Sequence, residues 1–155
     1  MLFRSRIKLQ KQSMRYFLFI LTSARYILLK ARLCALYPKK PNYDVLETYL
    51  GKDLVGLTYT PLFDYFVEQF REKAFRVVSD NYVTAESGTG IVHQAPGFGE
   101  DDFRVCVSSG IATNVNVPCP IDANGRFTNE VPDFQGVYVK DADKDLIQAI
   151  KTKGR

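Results

Sequence analysis

The stretch Gly88-Thr-Gly-Ile-Val-His-Gln-Ala-Pro-Gly-Phe-Gly-Glu-Asp-Asp-Phe-Arg-Val-Cys-Val-Ser-Ser-Gly, ending at Gly110, decides how this chain is read. Gly88 and Gly90 permit positive φ and a close backbone approach. Ile91 and Val92 are β-branched and suit a buried strand. Pro96 has no amide proton for a ladder, so the strand should end by Ala95. Gly97 and Gly99 keep the following loop open. Asp101 or Asp102 can then cap a helix that buries Phe103, Cys106 and Val107, and Gly110 stops it. The chain's only histidine, His93, therefore sits at a strand end, and three acids sit at a helix start across one glycine loop. Side chains from both can converge on one pocket.

Two readings of that convergence stand side by side. A histidine at a strand end is ordinarily a hydrogen-bonded structural residue, and acids before a helix ordinarily serve its macrodipole. The functional reading is a carboxylate aimed at a ligand cation, beside an imidazole that shapes or polarises a pocket.

Gly88-Thr-Gly-Ile-Val-His-Gln-Ala-Pro, followed by Phe98-Gly-Glu-Asp-Asp-Phe, resembles the signature of the editing domain of isoleucyl-tRNA synthetase. Valyl and leucyl relatives share the Gly-Thr-Gly start and the later aspartate but typically carry another residue where His93 stands. The Phe-Gly-Glu-Asp-Asp wording is more similar to the eukaryotic and archaeal branch than to the common bacterial one.

Composition is that of an ordinary globular domain: 155 residues, 46% hydrophobic and 25% charged, enough for one real core. Cys34, Cys106 and Cys119 are odd in number and lack Cys-x-x-Cys spacing. They form neither a disulfide framework nor a zinc site, and they fit a reducing compartment. The net charge of +4 hides an asymmetry: residues 1–40 hold ten Lys or Arg and no acid, so the remainder is net −6.

Residues 1–25 stand apart. They carry Arg4, Arg6, Lys8, Lys11, Arg15 and Arg25 around one short apolar run, Tyr16 to Leu21. Six residues cannot span a bilayer. The segment is compatible with a transit peptide, with an arm for RNA phosphates, or with a poorly ordered leader. The expected division is a basic leader over 1–25 that packs poorly and an editing domain over 26–155. The family's threonine-rich strand, roughly Thr-Thr-Thr-Pro-Trp-Thr, has no counterpart in this chain, which contains no tryptophan.

From Tyr26 the family's phrases follow in order. Tyr26-Ile-Leu-Leu reads as a strand leading into Ala31-Arg-Leu-Cys-Ala-Leu-Tyr, which resembles a family helix. Asn42 should cap a short helix carrying Val45, Leu46 and Tyr49, stopped by Gly51. Gly56-Leu-Thr-Tyr-Thr-Pro-Leu-Phe-Asp-Tyr resembles another family run, its aromatics read as core. Phe75 to Val78 is a strand, Asp80-Asn81 a turn, and Tyr82-Val83 restarts a strand. Ile111 to Val117 and Val137 to Val139 are expected as strands, with a turn at Asp122-Ala-Asn-Gly. Asp141 should cap a last helix that buries Leu146, Ile147 and Ile150. Asp141, Asp143 and Asp145 imitate a calcium loop, but Leu146 and Thr152 stand where glycine and glutamate are needed, so no metal is expected.

The resemblance implies a mixed α/β fold with a barrel-like β core and short peripheral helices. It implies hydrolysis of valine mischarged onto tRNA(Ile), with Asp102 as the catalytic anchor of the substrate ammonium. His93 would limit pocket size and Phe98 would line the loop side. The implied partners are the tRNA(Ile) acceptor end and a synthetase catalytic core, with no membrane. The domain itself needs no cofactor; ATP and Mg²⁺ belong to the parent enzyme. The implied location is cytoplasmic, or mitochondrial if residues 1–25 are a targeting segment. A non-catalytic tRNA-binding module and an inactive truncated product are the alternatives.

Overall fold

The computed structural model describes residues 6–9, by their backbone path, and residues 14–21, 24–38 and 43–154. The described residues divide into two compact units. One is drawn from Ser5–Tyr59 and Phe75–Gln94, the other from Thr60–Ala74 and Ala95–Arg155.

The first unit holds six strands in two three-stranded sheets. One sheet sets β2 (Arg15–Leu21) between β3 (Ala24–Leu29) and β4 (Tyr43–Leu50), antiparallel to both. The other sets β1 (Arg6–Leu9) between β5 (Arg76–Ser79), to which it is parallel, and β6 (Ile91–Gln94), to which it is antiparallel. Tyr16 and Leu29 from the first sheet meet Val77 of β5 and Ile91 of β6, with Leu54 of the short helix α2 (Gly51–Leu54) closing the cluster. On the other face of β2, Phe19 packs with Leu28 and with Leu33 of α1 (Lys30–Leu36), ringed by Tyr26, Tyr37 and Tyr43.

Residues 14–21 therefore do not pack as the poorly ordered leader their composition suggested. Tyr16 and Phe19 are both 0% exposed, on opposite faces of a central strand. The run Tyr-Phe-Leu-Phe-Ile-Leu lacks alternation because a strand covered on both faces has no polar side. Each such aromatic contributes about 1.5–3 kcal/mol by burial. The remainder of the expected leader lies outside the described residues, apart from the backbone of β1 and the first two residues of β3.

The helix expected after Asn42 is a strand, β4, and Asn42 itself lies outside the described residues. Val45, Leu46 and Tyr49 match helical spacing, but Tyr43, Val45, Thr48 and Tyr49 are β-formers. The edge of β2 supplies a ladder that decides between the two. A register shift opposite Leu18 and Phe19 leaves Leu46 as the extra residue of a bulge. Tyr82-Val83 does not restart a strand either. Asp80 Oδ1 accepts the Tyr82 amide at 3.1 Å, which prolongs the turn.

The second unit is built from short helices and turns: α3 (Val67–Phe70), α4 (Glu100–Ser108), a 3-10 turn at Pro132–Phe134, and α5 (Asp143–Thr152). Phe66, Phe70, Val105, Cys106, Val131 and Leu146 are among its buried residues. Tyr65 donates to Asp133 Oδ2 at 2.7 Å, and burial together with this bond raises its pKa well above the usual tyrosine value. The strand expected over Ile111 to Val117 shrinks to a single bridge between Thr113 and Asn116, which bond each other across a tight turn with Val115 fully out in solvent. Val137 to Val139 likewise makes only the bridge from Tyr138 to Arg126. The Asp122-Ala-Asn-Gly turn forms as read, with Gly125 at φ 74°. Helix α5 starts one residue later than expected, with Ala142 and not Asp141 at its N-cap. It buries Leu146 and leaves Ile147 exposed. The whole is the mixed α/β fold with short helices that the sequence implied.

Candidate functional site

In the first unit the chain approaches β6 through a tightly held turn. Gly88 and Gly90 adopt φ 59° and 74°, the region that L side chains rarely enter. A Cβ on Gly90 would stand 2.5 Å from Leu29 Cβ, so this glycine serves close packing as well as conformation. Four carbonyls of the turn are taken by groups far away in sequence. Arg32 on α1 donates from Nη1 to Glu86 O at 3.0 Å and from Nε to Gly88 O at 2.9 Å. The Leu29 amide donates to Thr89 O at 2.9 Å, and the Tyr16 hydroxyl donates to Gly90 O at 3.1 Å. The Thr89 side chain closes the corner on both the amide and the carbonyl of Ile91.

From this anchor β6 runs out to Gln94, one residue before Ala95, as Pro96 demands. Strand alternation sends neighbouring side chains to opposite faces. Gln94 is fully buried, its Nε2 donating to the Tyr82 hydroxyl at 2.6 Å, and His93 is exposed. A hollow of about 220 Å³ lies beside the turn, lined by Tyr82, Thr84, Ser87, Thr89, Ile91 and Val92.

In the second unit the loop Ala95–Gly99 folds onto the start of α4. Neither Asp101 nor Asp102 caps the helix. Gly99 occupies the N-cap, and its carbonyl receives the Phe103 amide at 2.8 Å. Asp102 instead turns back, and its Oδ2 accepts the Ala95 amide at 3.0 Å. The bond is charge-assisted and fixes the carboxylate against the loop. A Cβ on Gly99 would lie 3.2 Å from the Asp102 carboxylate, tighter than an ordinary contact. A Cβ on Gly97 would strike Pro118 O at 2.8 Å. Phe98 projects from the same loop, 53% exposed. Asp101 pairs with Arg104 at 2.9 Å on the open surface. On the helix's inner face Val105 and Cys106 are buried, whereas Phe103 and Val107 are only half-buried.

Asp102 and Phe98 thus flank one loop of the second unit, and His93 stands at the end of a strand of the first. Among the described residues no group of three or more His, Cys, Asp or Glu side chains could hold a metal ion. Sequence reasoning missed Tyr16 and Arg32. Arg32 sits inside the Ala-Arg-Leu-x-Ala-Leu-Tyr phrase, where it is the one charged residue.

The fold is one known from the CP1 domain of a tRNA synthetase. The solved structure "The crystal structure of GlLeuRS-CP1", a leucyl-tRNA synthetase editing domain, superposes with a TM-score of 0.66. It covers 99% of this chain and 76% of its own at 14% sequence identity, which fixes the fold. No family model matches the chain. In sequence the chain is homologous to a segment of isoleucyl-tRNA synthetases. It is 54% identical to the cytoplasmic isoleucine–tRNA ligase of Saccharomyces cerevisiae over 132 residues, 83% of this chain and 12% of the relative. The corresponding figures for the cytoplasmic enzyme of Mus musculus are 52% over 131 residues, 84% and 10%. The chain therefore spans about a tenth of the length of the curated relatives it matches.

Proposed function

We propose that this chain hydrolyses valine mischarged onto tRNA(Ile), as the editing part of an isoleucine–tRNA ligase. A pocket that selects isoleucine rejects valine poorly, because the two differ by one methylene; isoleucyl-tRNA synthetase is itself the standard illustration of that limit. A second site must admit the smaller side chain and exclude the larger. The observation that carries the reading is Asp102. Its carboxylate is held by the Ala95 amide at the start of α4, on a stretch shared with isoleucine–tRNA ligases.

In this reading Asp102 receives the substrate's α-ammonium and so holds the ester carbonyl for attack by water. His93 sets the size limit, and Phe98 covers the loop side. No Ser-His or Cys-His pair stands out in the sequence, so bound water is the nucleophile. ATP and Mg²⁺ serve the ligase core and not this domain. The partners are the acceptor end of tRNA(Ile) and that core, in the cytoplasm where the named relatives act.

The test is deacylation of Val-tRNA(Ile) and Ile-tRNA(Ile) by a full-length isoleucine–tRNA ligase carrying Asp102→Ala or His93→Ala at the corresponding positions. Asp102→Ala should lower Val-tRNA hydrolysis about 100-fold or more, the scale of losing substrate orientation, with amino-acid activation unchanged. His93→Ala should let Ile-tRNA be hydrolysed. Normal editing by the Asp102→Ala enzyme would remove the reading. The isolated chain should hydrolyse either ester poorly. Salt-dependent tRNA binding without hydrolysis in the full-length enzyme would favour a binding module instead.

A further inference from the structure

We propose that the segment Pro118–Cys119–Pro120 is a positioning rail for the loop that carries Phe98 and holds Asp102. The proposal rests on the editing reading for its catalytic consequence, though not for its geometry. All the residues it involves lie in the second unit. The rail is stiff by composition. Its two prolines fix their own φ near about −65°, and they confine Val117 and Cys119, the residues before them, to extended backbone. It is also anchored. Pro118 and Pro120 are buried, and Pro120 O accepts the Thr128 amide at 3.0 Å. The next residue, Ile121, is bridged to Phe127.

Gly97 lies directly against this rail. A Cβ built on it would stand 2.8 Å from Pro118 O, 3.3 Å from Cys119 Cβ and 3.6 Å from Cys119 Cα. The nearest of these atoms is a backbone carbonyl, which no side-chain rotation can move aside. From Gly97 the contact passes to the site through bonds of the loop itself. The Phe98 amide donates to Ala95 O at 2.9 Å, which closes residues 95–98 into one turn with Pro96 and Gly97 at its centre. The Ala95 amide in turn donates to Asp102 Oδ2 at 3.0 Å. Rail, turn and carboxylate are thus joined contact by contact. Pro118 and Cys119 meet Gly97, the closed turn ties Gly97 to Ala95 and Phe98, and Ala95 holds Asp102. Neither Pro118 nor Cys119 has to touch a substrate; both act through Gly97.

The Ala95 amide is the reporter, because its proton points at the Asp102 carboxylate. The experiment compares its chemical shift and exchange rate in the chain and in the Gly97→Ala, Cys119→Gly, Cys119→Ala and Gly136→Ala variants. Gly97→Ala wedges a methyl between loop and rail. It should shift the Ala95 amide resonance and speed its exchange about 10-fold or more, the scale of losing a hydrogen bond to a charged group. Cys119→Gly removes the side-chain atom nearest Gly97 and loosens the rail from a position remote in sequence. It should have the same effect in smaller measure, and it answers the question if Gly97→Ala does not fold. Cys119→Ala keeps the Cβ and should leave the Ala95 amide as it was. Gly136→Ala strains a glycine at φ 79° with no atom within 4 Å of the added carbon, so it tests destabilisation alone and should also leave that amide unmoved. An unmoved Ala95 amide in folded Gly97→Ala or Cys119→Gly would overturn the proposal, as would an equal change in Gly136→Ala.

A second arm uses a full-length isoleucine–tRNA ligase. Gly97→Ala at the corresponding position should lower Val-tRNA hydrolysis by up to about 100-fold, the scale of an ångström's misplacement, with amino-acid activation unchanged. Undiminished hydrolysis would overturn the catalytic consequence. If Asp102→Ala leaves editing intact, the functional reading fails, and the Ala95 amide still decides the positioning claim.

Discussion

The two halves of the Gly88–Gly110 stretch are held by different means. Gly88 to Gln94 is fixed from outside, by Tyr16, Leu29 and Arg32, residues 56 or more positions away. Ala95 to Gly110 largely fixes itself. Asp102 reaches back seven residues to Ala95, Gly99 O takes the Phe103 amide, and Arg104 pairs with Asp101. A strand end must be told where to point by its neighbours, whereas a loop entering a helix carries its own geometry. Mutations should therefore act globally in the first half and locally in the second.

The largest effect should come from Gly90→Ala. An alanine forced into the left-handed region costs about 1–2 kcal/mol, and overpacking against Leu29 about 1–3 more. A loss near 3 kcal/mol in urea unfolding is expected, with protection lost across both sheets of the first unit. Next, Asp102→Ala removes a charge-assisted bond and strands the Ala95 amide, worth about 2 kcal/mol. Its amide-exchange changes should stay within Ala95–Ser108. Spread into β2 or β3 would break the comparison. Gly88→Ala should cost only about 1–2 kcal/mol, since its φ of 59° is strained but no atom lies within 4 Å of the added carbon. A Gly88→Ala loss equal to that of Gly90→Ala would mean that conformation, and not contact with Leu29, dominates the turn.

The smallest effect at neutral pH is expected from Tyr65→Phe, about 0.5–1 kcal/mol for one exposed hydrogen bond to Asp133. Its signature is in the pH dependence. Burial and the Asp133 bond raise the folded-state pKa of Tyr65 above the ordinary 10.0. The contribution is complete below pH about 10 and is lost as pH rises toward the folded value, because the unfolded chain gives up its proton first. Tyr65→Phe should flatten that alkaline fall, as measured by unfolding midpoints between pH 8 and 11.

The same contrast explains what could be read in advance. The glycine turn, the end of β6 before Pro96 and the stop at Gly110 follow from local stereochemistry, and all were legible. So was the helix over Ala31–Leu36. What escaped was set by distant partners. Helical spacing in Val45, Leu46 and Tyr49 lost to an open strand edge on β2. The basic surroundings of Tyr16–Leu21 concealed a strand buried on both faces. The strands expected near Val115 and Tyr138 failed because nothing pairs with them beyond a bridge. At the site, local stereochemistry offered Asp101 or Asp102 as the cap of α4, and the N-cap is Gly99 instead. Only coordinates could show the carboxylate turned back to Ala95, or Arg32 on the turn.

The pairing of β1 has a temporal consequence. Its partners Arg76–Ser79 and Ile91–Gln94 follow it by some seventy and eighty-five residues, so among the described strands it waits longest for its neighbours. Closing loops of that length is entropically slow, and sheets dominated by such pairings fold late. The hairpin of β2 and β3, whose partners are adjacent in the chain, forms early by comparison. During synthesis on the ribosome the hairpin is complete long before Gln94 emerges. The segment carrying His93 thus meets a scaffold already waiting for it, and the order of translation matches the order in which the turn needs its supports.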